Sequence, residues 1–149
     1  RPDGGTLTDH DDVRRLLAIE DMKQLKARYF RTLDQRDWEG FGLVFAETAV
    51  LEVPEADMVV QGRDAIVASV SGALAGARTV HHGHMPEIEI TGPDTARGTW
   101  AMFDYVEWDR PDAAERVGKQ DNVFFSERSL TDGARDQVAE HQEGAAEEE

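Results

Sequence analysis

Apolar residues recur every three or four positions across the first part of the chain, between Val13 and Leu33. This spacing places them on one face of an amphipathic helix. Thr8 followed by Asp11 resembles a capping box, so we expect the helix to begin there. The pattern fits either one long helix or two helices with a kink near Ala18.

Two more helices and two short strands are predicted before the middle of the chain. Asp37 can cap a second helix over Trp38–Phe45, and a third is expected over Arg63–Leu74, where glycines end it. The strands are expected at Ala49–Val53 and Val59–Gln61. The first half of the chain is therefore predicted to be mainly helical.

The hydrophobic period changes from helical to alternating in the second half. Thr79–Thr91 and Thr95–Trp108 each alternate like a strand, and a Gly-Pro-Asp turn separates them. Val117–Leu130 is predicted as a third strand, and an Asp-Gly hairpin signal follows it. Ala134–His141 contains a single β-branched residue, so its propensity is nearer to helix or coil than to strand.

Helices first and antiparallel strands afterwards indicate an α+β fold, in which helices cover one face of a curved antiparallel sheet. A bent sheet with helices across its open face encloses a cavity suited to a small apolar ligand. We divide the chain into a flexible lead at 1–8, one domain at 9–142 and an acidic tail at 143–149, whose mutual repulsion favours disorder.

The charge balance disfavours several classes of partner. The chain has 31 Asp and Glu against 16 Lys and Arg, a formal net charge of -15 that repels nucleic acid and anionic lipid. It has no cysteine, which excludes disulfides, thiolate zinc sites and cysteine nucleophiles. No apolar run approaches the roughly 20 residues that span a bilayer, and the start lacks a signal-peptide core. We expect a cytoplasmic protein.

Three of the five histidines fall close together, at His81, His82 and His84. Two histidines that lie two residues apart on one strand face, such as His82 and His84, can bind zinc or iron. Alternatively, one imidazole acts as a general base that is held by a carboxylate elsewhere in the chain. A third interpretation leaves the histidines solvated or at an interface.

Strand parity leaves open which histidine faces the interior. His82 and His84 are in phase with Ile88, so a regular strand would put those two on the apolar side. A bulge at Gly83 would reverse the phase and bring His81 inside.

One carboxylate is expected on the second long strand, at Asp104. It shares a strand face with Trp100 and Met102. Burying an ion beside apolar groups costs several kcal/mol unless the ion is paired. Asp104 is therefore either a paired buried acid or a solvated residue past the edge of the sheet.

A second carboxylate stands near the end of the first helix, at Asp34. It lies four residues after Phe30, so the two side chains project together. An acid in the last turn interacts unfavourably with the helix dipole unless a cation such as imidazolium pairs with it. The alternative is an exposed acid beside Arg31 or Arg36.

Several segments together resemble the SnoaL-like branch of the nuclear-transport-factor-2-like superfamily, over residues 8–133. The segments are Ala27–Asp34, Asp37-Trp38, Gly62–Ile66, His81–Ile88 and Thr95–Met102. The resemblance implies a cone-shaped α+β barrel with three helices and an apolar pocket. Members include scytalone dehydratase, bile-acid 7α-dehydratase, hexachlorocyclohexane dehydrochlorinase, steroid isomerases, polyketide cyclases and proteins without known activity.

The resemblance also implies roles for individual residues. In the dehydratase and dehydrochlorinase members, a His–Asp dyad removes a proton from carbon without a metal or an organic cofactor. By position, the dyad matches Asp34 and His81, the aromatic before the acid matches Tyr29, and a second acid matches Asp104. His82 replaces His81 if the register differs by one residue. The expected substrate contacts are Trp100, Met102, Phe30 and His82.

The expected function is that of a lyase or isomerase without metal or cofactor, acting on a small apolar or steroid-like substrate. A non-catalytic binding or dimerisation module is one alternative, and a metal enzyme that uses His82, His84 and an acid is another. By resemblance, the outer sheet face is expected to form a homodimer or homotrimer. At Ala134–Gln137 the chain departs from relatives, which usually have a Trp-containing, basic and apolar final strand there.

Overall fold

The computed structural model describes residues 9–108, 123–124, 126–129 and 139–143. Its helices are α1 (Asp9–Gln35), α2 (Trp38–Gly42) and α3 (Arg63–Ala73). Its strands are β1 (Val50–Val53), β2 (Met58–Gln61), β3 (Ala77–Gly83), β4 (Glu87–Ile90), β5 (Thr95–Thr99), β6 (Met102–Trp108), β7 (Val123–Phe124), β8 (Ser126–Ser129) and β9 (Ala139–Glu143). A short 3-10 turn, Pro54–Ala56, joins β1 to the antiparallel β2.

Helix α1 is one continuous helix of 27 residues, so the alternative of two separate helices is wrong. Its C-terminal half faces the core through Met22, Leu25 and Leu33, which are at most 5% exposed. Its N-terminal half leaves Val13 and other apolar residues exposed. Of the helices described here, none combines the length and the apolar character needed to cross a membrane.

Helix α2 is shorter than the predicted Trp38–Phe45 and ends at Gly42. The expected cap is present, because the Asp37 carboxylate accepts a hydrogen bond from the Gly40 N–H at 2.9 Å. Phe45 lies beyond the helix and is still buried. The apolar character of Phe45 is explained by its packing in the core, and it does not indicate that the helix continues to this residue.

The two long strands predicted for the second half are each broken, which corrects the prediction of unbroken strands. Thr79–Thr91 divides into β3 and β4, and Thr95–Trp108 divides into β5 and β6. The breaks face each other, since β3 pairs with β6 and β4 pairs with β5. Pro86 has no N–H for the ladder, and the His84 N–H instead donates to the Ala101 carbonyl at 2.8 Å.

The opposed breaks reverse the phase of the side chains. In β3 the odd-numbered Ala77, Thr79 and His81 are more buried than the even-numbered residues, whereas in β4 the even-numbered Ile88 and Ile90 are the more buried ones. This is the alternative in which His81 turns inward.

The last described strand corrects the prediction for the C-terminal segment. Ala139–His141 is strand rather than helix or coil, and β9 extends to Glu143, the first residue of the predicted tail. β9 runs parallel to β1, an exception to the expected antiparallel order, and antiparallel to β7. Backbone pairing on both sides outweighs weak β-propensity.

Several predictions lie outside the described residues. They concern the lead and its capping residue Thr8 at 1–8, the segment 134–138 and the tail at 144–149. The predicted third strand, Val117–Leu130, is described only where β7 and β8 occur.

Two apolar clusters form the described part of the core. The first lies under the helices and consists of Leu25, Leu33, Phe41, Val44, Phe45, Ala49, Leu51 and Ile66. The second joins α1 to the sheet and consists of Met22, Ala96, Trp100 and Met102, with Phe30, Ile88 and Ile90 packed against it. Helices together with mainly antiparallel strands, which pair as β2-β1-β9-β7, β3-β6 and β4-β5-β8, make this an α+β fold, as predicted.

Candidate active site

The end of α1 meets the inner face of β3 through one carboxylate. Asp34 Oδ1 accepts a hydrogen bond from the Thr79 hydroxyl at 2.9 Å, and Asp34 Oδ2 accepts one from the His81 backbone N–H at 3.0 Å. The Nδ1 atom of the His81 ring lies 2.6 Å from Asp34 Oδ1. Both carboxylate oxygens are thus used to fasten the helix end to β3.

These contacts define the state of the His81 ring. An ionised carboxylate can only accept hydrogen bonds, so the proton between the two groups belongs to Nδ1, and in the neutral ring the lone pair is then on Nε2. The side chain of His81 is 8% exposed and that of Asp34 is 25% exposed. A short charge-assisted hydrogen bond in such a partly dry setting holds the imidazole in one orientation.

Asp104 approaches the opposite side of the same ring. It is paired with His81 in the antiparallel register of β3 and β6, so both side chains lie on the inner face. Its Oδ2 atom is 4.0 Å from His81 Nε2, and its side chain is only 14% exposed. The interpretation of Asp104 as a solvated residue past the sheet edge is therefore wrong.

His82 and His84 do not join this arrangement. His82 is exposed on the outer face of β3, where its partner in register is Phe103, and His84 is exposed in the break after β3. Strand alternation separates His82 from His81, which corrects the expectation that His82 contacts the substrate. Among the residues that the structure describes, no three His, Cys, Asp or Glu side chains are grouped to hold a metal ion.

An apolar wall continues from the dyad along the inner face. Gly83 follows two residues after His81, and Phe30 and Trp100 pack directly over its backbone. A Cβ atom at Gly83 would lie 2.4 Å from the Phe30 ring, so only glycine allows this close approach. Met102 is the partner of Gly83 in register and is 3% exposed. Three of the expected substrate contacts therefore lie around Gly83, two residues along β3 from His81.

Tyr29 belongs to the aromatic cluster between α1 and α2. Its ring centroid is 5.2 Å from that of Phe41, 6.0 Å from that of Phe45 and 5.6 Å from that of Phe30. It is half-buried, and Lys26 places its ammonium 3.9 Å from the centroid of the Tyr29 ring.

Two further residues of this region, Thr79 and Lys26, are not among those that the sequence predicts for the site. Thr79 lies two residues before His81, so strand alternation alone could have placed both on one face. Lys26 falls four residues after Met22 and four before Phe30, within the apolar face of α1. A lysine in phase with apolar positions is a sequence signal for a buried cation, and Lys26 is 8% exposed.

A comparison with family models now decides the family. The model for the SnoaL-like domain matches residues 14–133, which is most of the chain. The chain belongs to the SnoaL-like family. The resemblance inferred from the sequence is thereby confirmed.

Solved structures agree with this SnoaL-like fold. A candidate scytalone dehydratase from Novosphingobium aromaticivorans is 17% identical with a TM-score of 0.77, over 91% of this chain and 89% of that chain. A type 2 hexachlorocyclohexane dehydrochlorinase is 16% identical with a TM-score of 0.69, over 88% of each chain. A protein with a cystatin-like fold from Caulobacter vibrioides is 16% identical with a TM-score of 0.71, over 86% of this chain and 89% of that chain.

Identities this low establish the fold of the SnoaL-like domain and leave its reaction open. The reaction has to be argued from the site itself.

Proposed function

We propose that this SnoaL-like protein is a cofactor-independent lyase or isomerase that removes a carbon-bound proton from a small apolar or steroid-like substrate. The observation that carries the proposal is the 2.6 Å contact between His81 Nδ1 and Asp34 Oδ1. It orients an imidazole whose second nitrogen is available as a base, which is the arrangement that proton abstraction needs.

In the proposed reaction, His81 Nε2 takes the proton from a carbon next to a carbonyl or a leaving group. The C–H electron pair moves into a new double bond or onto the carbonyl oxygen. Loss of the leaving group then completes an elimination, or return of the proton at another carbon completes an isomerisation. Asp34 stabilises the imidazolium that forms, because its negative charge is held in hydrogen-bond contact with the ring.

The two other polar groups have complementary roles in this proposal. Asp104 lies 4.0 Å from Nε2, on the side where the substrate proton arrives, and serves as the second acid that returns or relays a proton. Tyr29 donates a hydrogen bond to the oxygen on which negative charge develops. Phe30, with the buried Trp100 and Met102 packed behind it, supplies the apolar surface against which the substrate carbon skeleton packs.

The names of two structural neighbours are consistent with this class of reaction. A dehydratase removes water and a dehydrochlorinase removes hydrogen chloride, and both reactions create a double bond. Neither name identifies the substrate of this chain, so the proposal is limited to the class.

The test follows proton abstraction directly. The protein is incubated in D2O with a panel of β-hydroxyketones and steroid enones, and deuterium incorporation or product formation is followed by NMR. We expect His81→Gln to lower the rate by at least about a hundredfold, because it removes the base. His84→Gln is the matched control and is expected to keep the wild-type rate, since His84 is exposed outside the site.

Two results would contradict the proposal. One is an equal rate for His81→Gln and the wild-type protein. The other is tight binding of a panel compound without any exchange or turnover by the wild-type protein, which would favour the binding module instead.

A further inference from the structure

Lys26 is a buried cation surrounded by aromatic rings. Its residue is 8% exposed, and its Nζ atom lies 3.9 Å from the Tyr29 ring centroid, 5.1 Å from that of Phe30 and 5.9 Å from that of Trp100. Long charged side chains usually extend their ends into water, so a lysine held inside needs compensation for lost hydration. The negative faces of the rings provide part of that compensation.

The same rings connect Lys26 to the proposed active site. Phe30 and Trp100 pack over Gly83, two residues from His81, while Tyr29 precedes Asp34 on α1. The ammonium therefore contacts two rings that also pack against Gly83, and its nearest ring is that of Tyr29.

We propose that Lys26 is a positioning residue that acts through Tyr29, making its phenol hydroxyl a stronger hydrogen-bond donor toward a substrate oxygen that becomes negative. This rests on the proposed function and narrows its substrate class to compounds whose acidic C–H lies beside a carbonyl group. A positive charge against the ring favours the phenolate over the phenol, because it interacts with the negative form more strongly. A hydroxyl that loses its proton more readily is also a better donor to an oxyanion.

Within the described part of the chain, the other rings in contact with Tyr29 are those of three phenylalanines, which carry no charge. Phe30 comes from α1, Phe41 from α2 and Phe45 from the segment after α2, and none of them titrates. The titratable groups of the candidate site are Asp34 on α1, His81 on β3 and Asp104 on β6. They are unchanged in all the variants below, so differences between variants report on Lys26.

The experiment measures the ionisation of Tyr29 without any substrate. The chain has two tyrosines, so Tyr105→Phe leaves a single tyrosinate signal in the ultraviolet absorbance. In that background we compare the parent with Lys26→Met, Lys26→Gln and Lys26→Arg. Lys23→Met is the matched control, because the Lys23 side chain is 48% exposed on the same helix. Circular dichroism at each pH restricts the titration to folded protein.

We expect Lys26→Met and Lys26→Gln to raise the midpoint of the Tyr29 titration above that of the parent, because they remove the positive charge that favours the phenolate. Lys26→Arg retains a charge through the whole titration and is expected to keep the midpoint near or below that of the parent. No shift in the neutral variants, or the same shift in the arginine variant, would overturn the inference.

An activity measurement separates this inference from the proposed function. With a β-hydroxyketone that is turned over, Lys26→Met is expected to lower kcat about tenfold with a smaller change in KM. If His81→Gln shows that there is no base catalysis while the titration still shifts, the proposed function fails and the effect of Lys26 on Tyr29 stands. If catalysis is present and the titration does not shift, the inference about Lys26 fails alone.

Discussion

At the scale of single residues, Asp34 connects the fold to the proposed chemistry. One carboxylate accepts hydrogen bonds from a side chain and a backbone group of β3 and also orients the imidazole of His81. An acid near the C-terminal end of a helix is electrostatically unfavourable by itself. The three donors from β3 offset that cost, so an ionised acid at position 34 is stabilised only when β3 is packed against the helix end.

The first prediction concerns Asp34→Asn. The amide keeps the shape of the side chain but can present N–H groups to the ring, which favours the tautomer with the proton on Nε2 and blocks the base. We expect kcat to fall by about a hundredfold to ten-thousandfold with a modest change in KM. Steady-state kinetics on a compound that the wild-type protein converts would measure this.

The control is Asp21→Asn, which changes an exposed acid on the same helix and is expected to leave kcat unchanged. A wild-type kcat for Asp34→Asn would mean that the orientation of His81 does not depend on the carboxylate.

Residue types, their spacing and the family resemblance predict most of the residues of this site. Asp34, His81 and Asp104 could be proposed from the sequence and the family resemblance, and the structure places them together around one imidazole. The choice between His81 and His82 could not be made, because it depends on the phase of a strand. That phase is set by a break that pattern alone does not locate.

At the scale of elements, the break between β3 and β4 decides which side chains face inward. Gly83 ends β3 at the point where Phe30 from α1 crosses the strand, and the chain resumes as β4 with the opposite phase. Helix and strand can approach so closely there because glycine has no Cβ atom. The orientation of His81 is thus coupled to the packing of α1 on the sheet.

The second prediction tests this approach with Gly83→Ala. The new Cβ atom would meet the Phe30 ring at 2.4 Å, so the ring or the strand has to move. We expect the free energy of unfolding to fall by about 1–3 kcal/mol. Adding Phe30→Leu to Gly83→Ala should recover part of that loss, because it removes the clashing ring edge. Urea unfolding monitored by tryptophan fluorescence measures all three proteins.

Gly72→Ala is the matched control. Gly72 is exposed in α3 and a Cβ atom there meets nothing within 4 Å, so alanine is expected to stabilise the protein by about 0.5–1 kcal/mol. The two alanine substitutions should therefore have opposite signs. Equal and small effects would show that Phe30 does not restrict the residue at Gly83.

At the scale of the whole molecule, the outer face of β3 and β6 carries apolar side chains that face water in the single chain. Val80 is 44% exposed and Phe103 is 40% exposed, with His82 paired to Phe103 across the strands. Monomeric proteins seldom leave such adjacent apolar groups uncovered on a sheet. We propose, as the family resemblance implies, that a second copy of the chain covers this face.

The third prediction is that Val80→Lys combined with Phe103→Glu shifts the protein toward monomer. Charges in the middle of an interface lose hydration without compensation. We therefore expect the dimer Kd to rise tenfold or more, which corresponds to a loss of at least about 1.4 kcal/mol of binding free energy. Light scattering after size-exclusion chromatography measures the mass. Val59→Lys is the control, since Val59 is 61% exposed on β2, away from this face. A wild-type protein that is monomeric at micromolar concentration would contradict the proposal.

The sequence by itself determined the types of the helices and strands up to Trp108, the α+β class and the family resemblance, because these follow from hydrophobic period, turn residues and local motifs. It also named the acids and the histidine cluster from which the candidate site is built. Only the tertiary structure decided that His81 faces inward, that Lys26 is buried against Tyr29, and that Ala139–Glu143 pairs with β1. Each of these depends on contacts between segments far apart in the chain, and local propensity carries no information about which partners will meet.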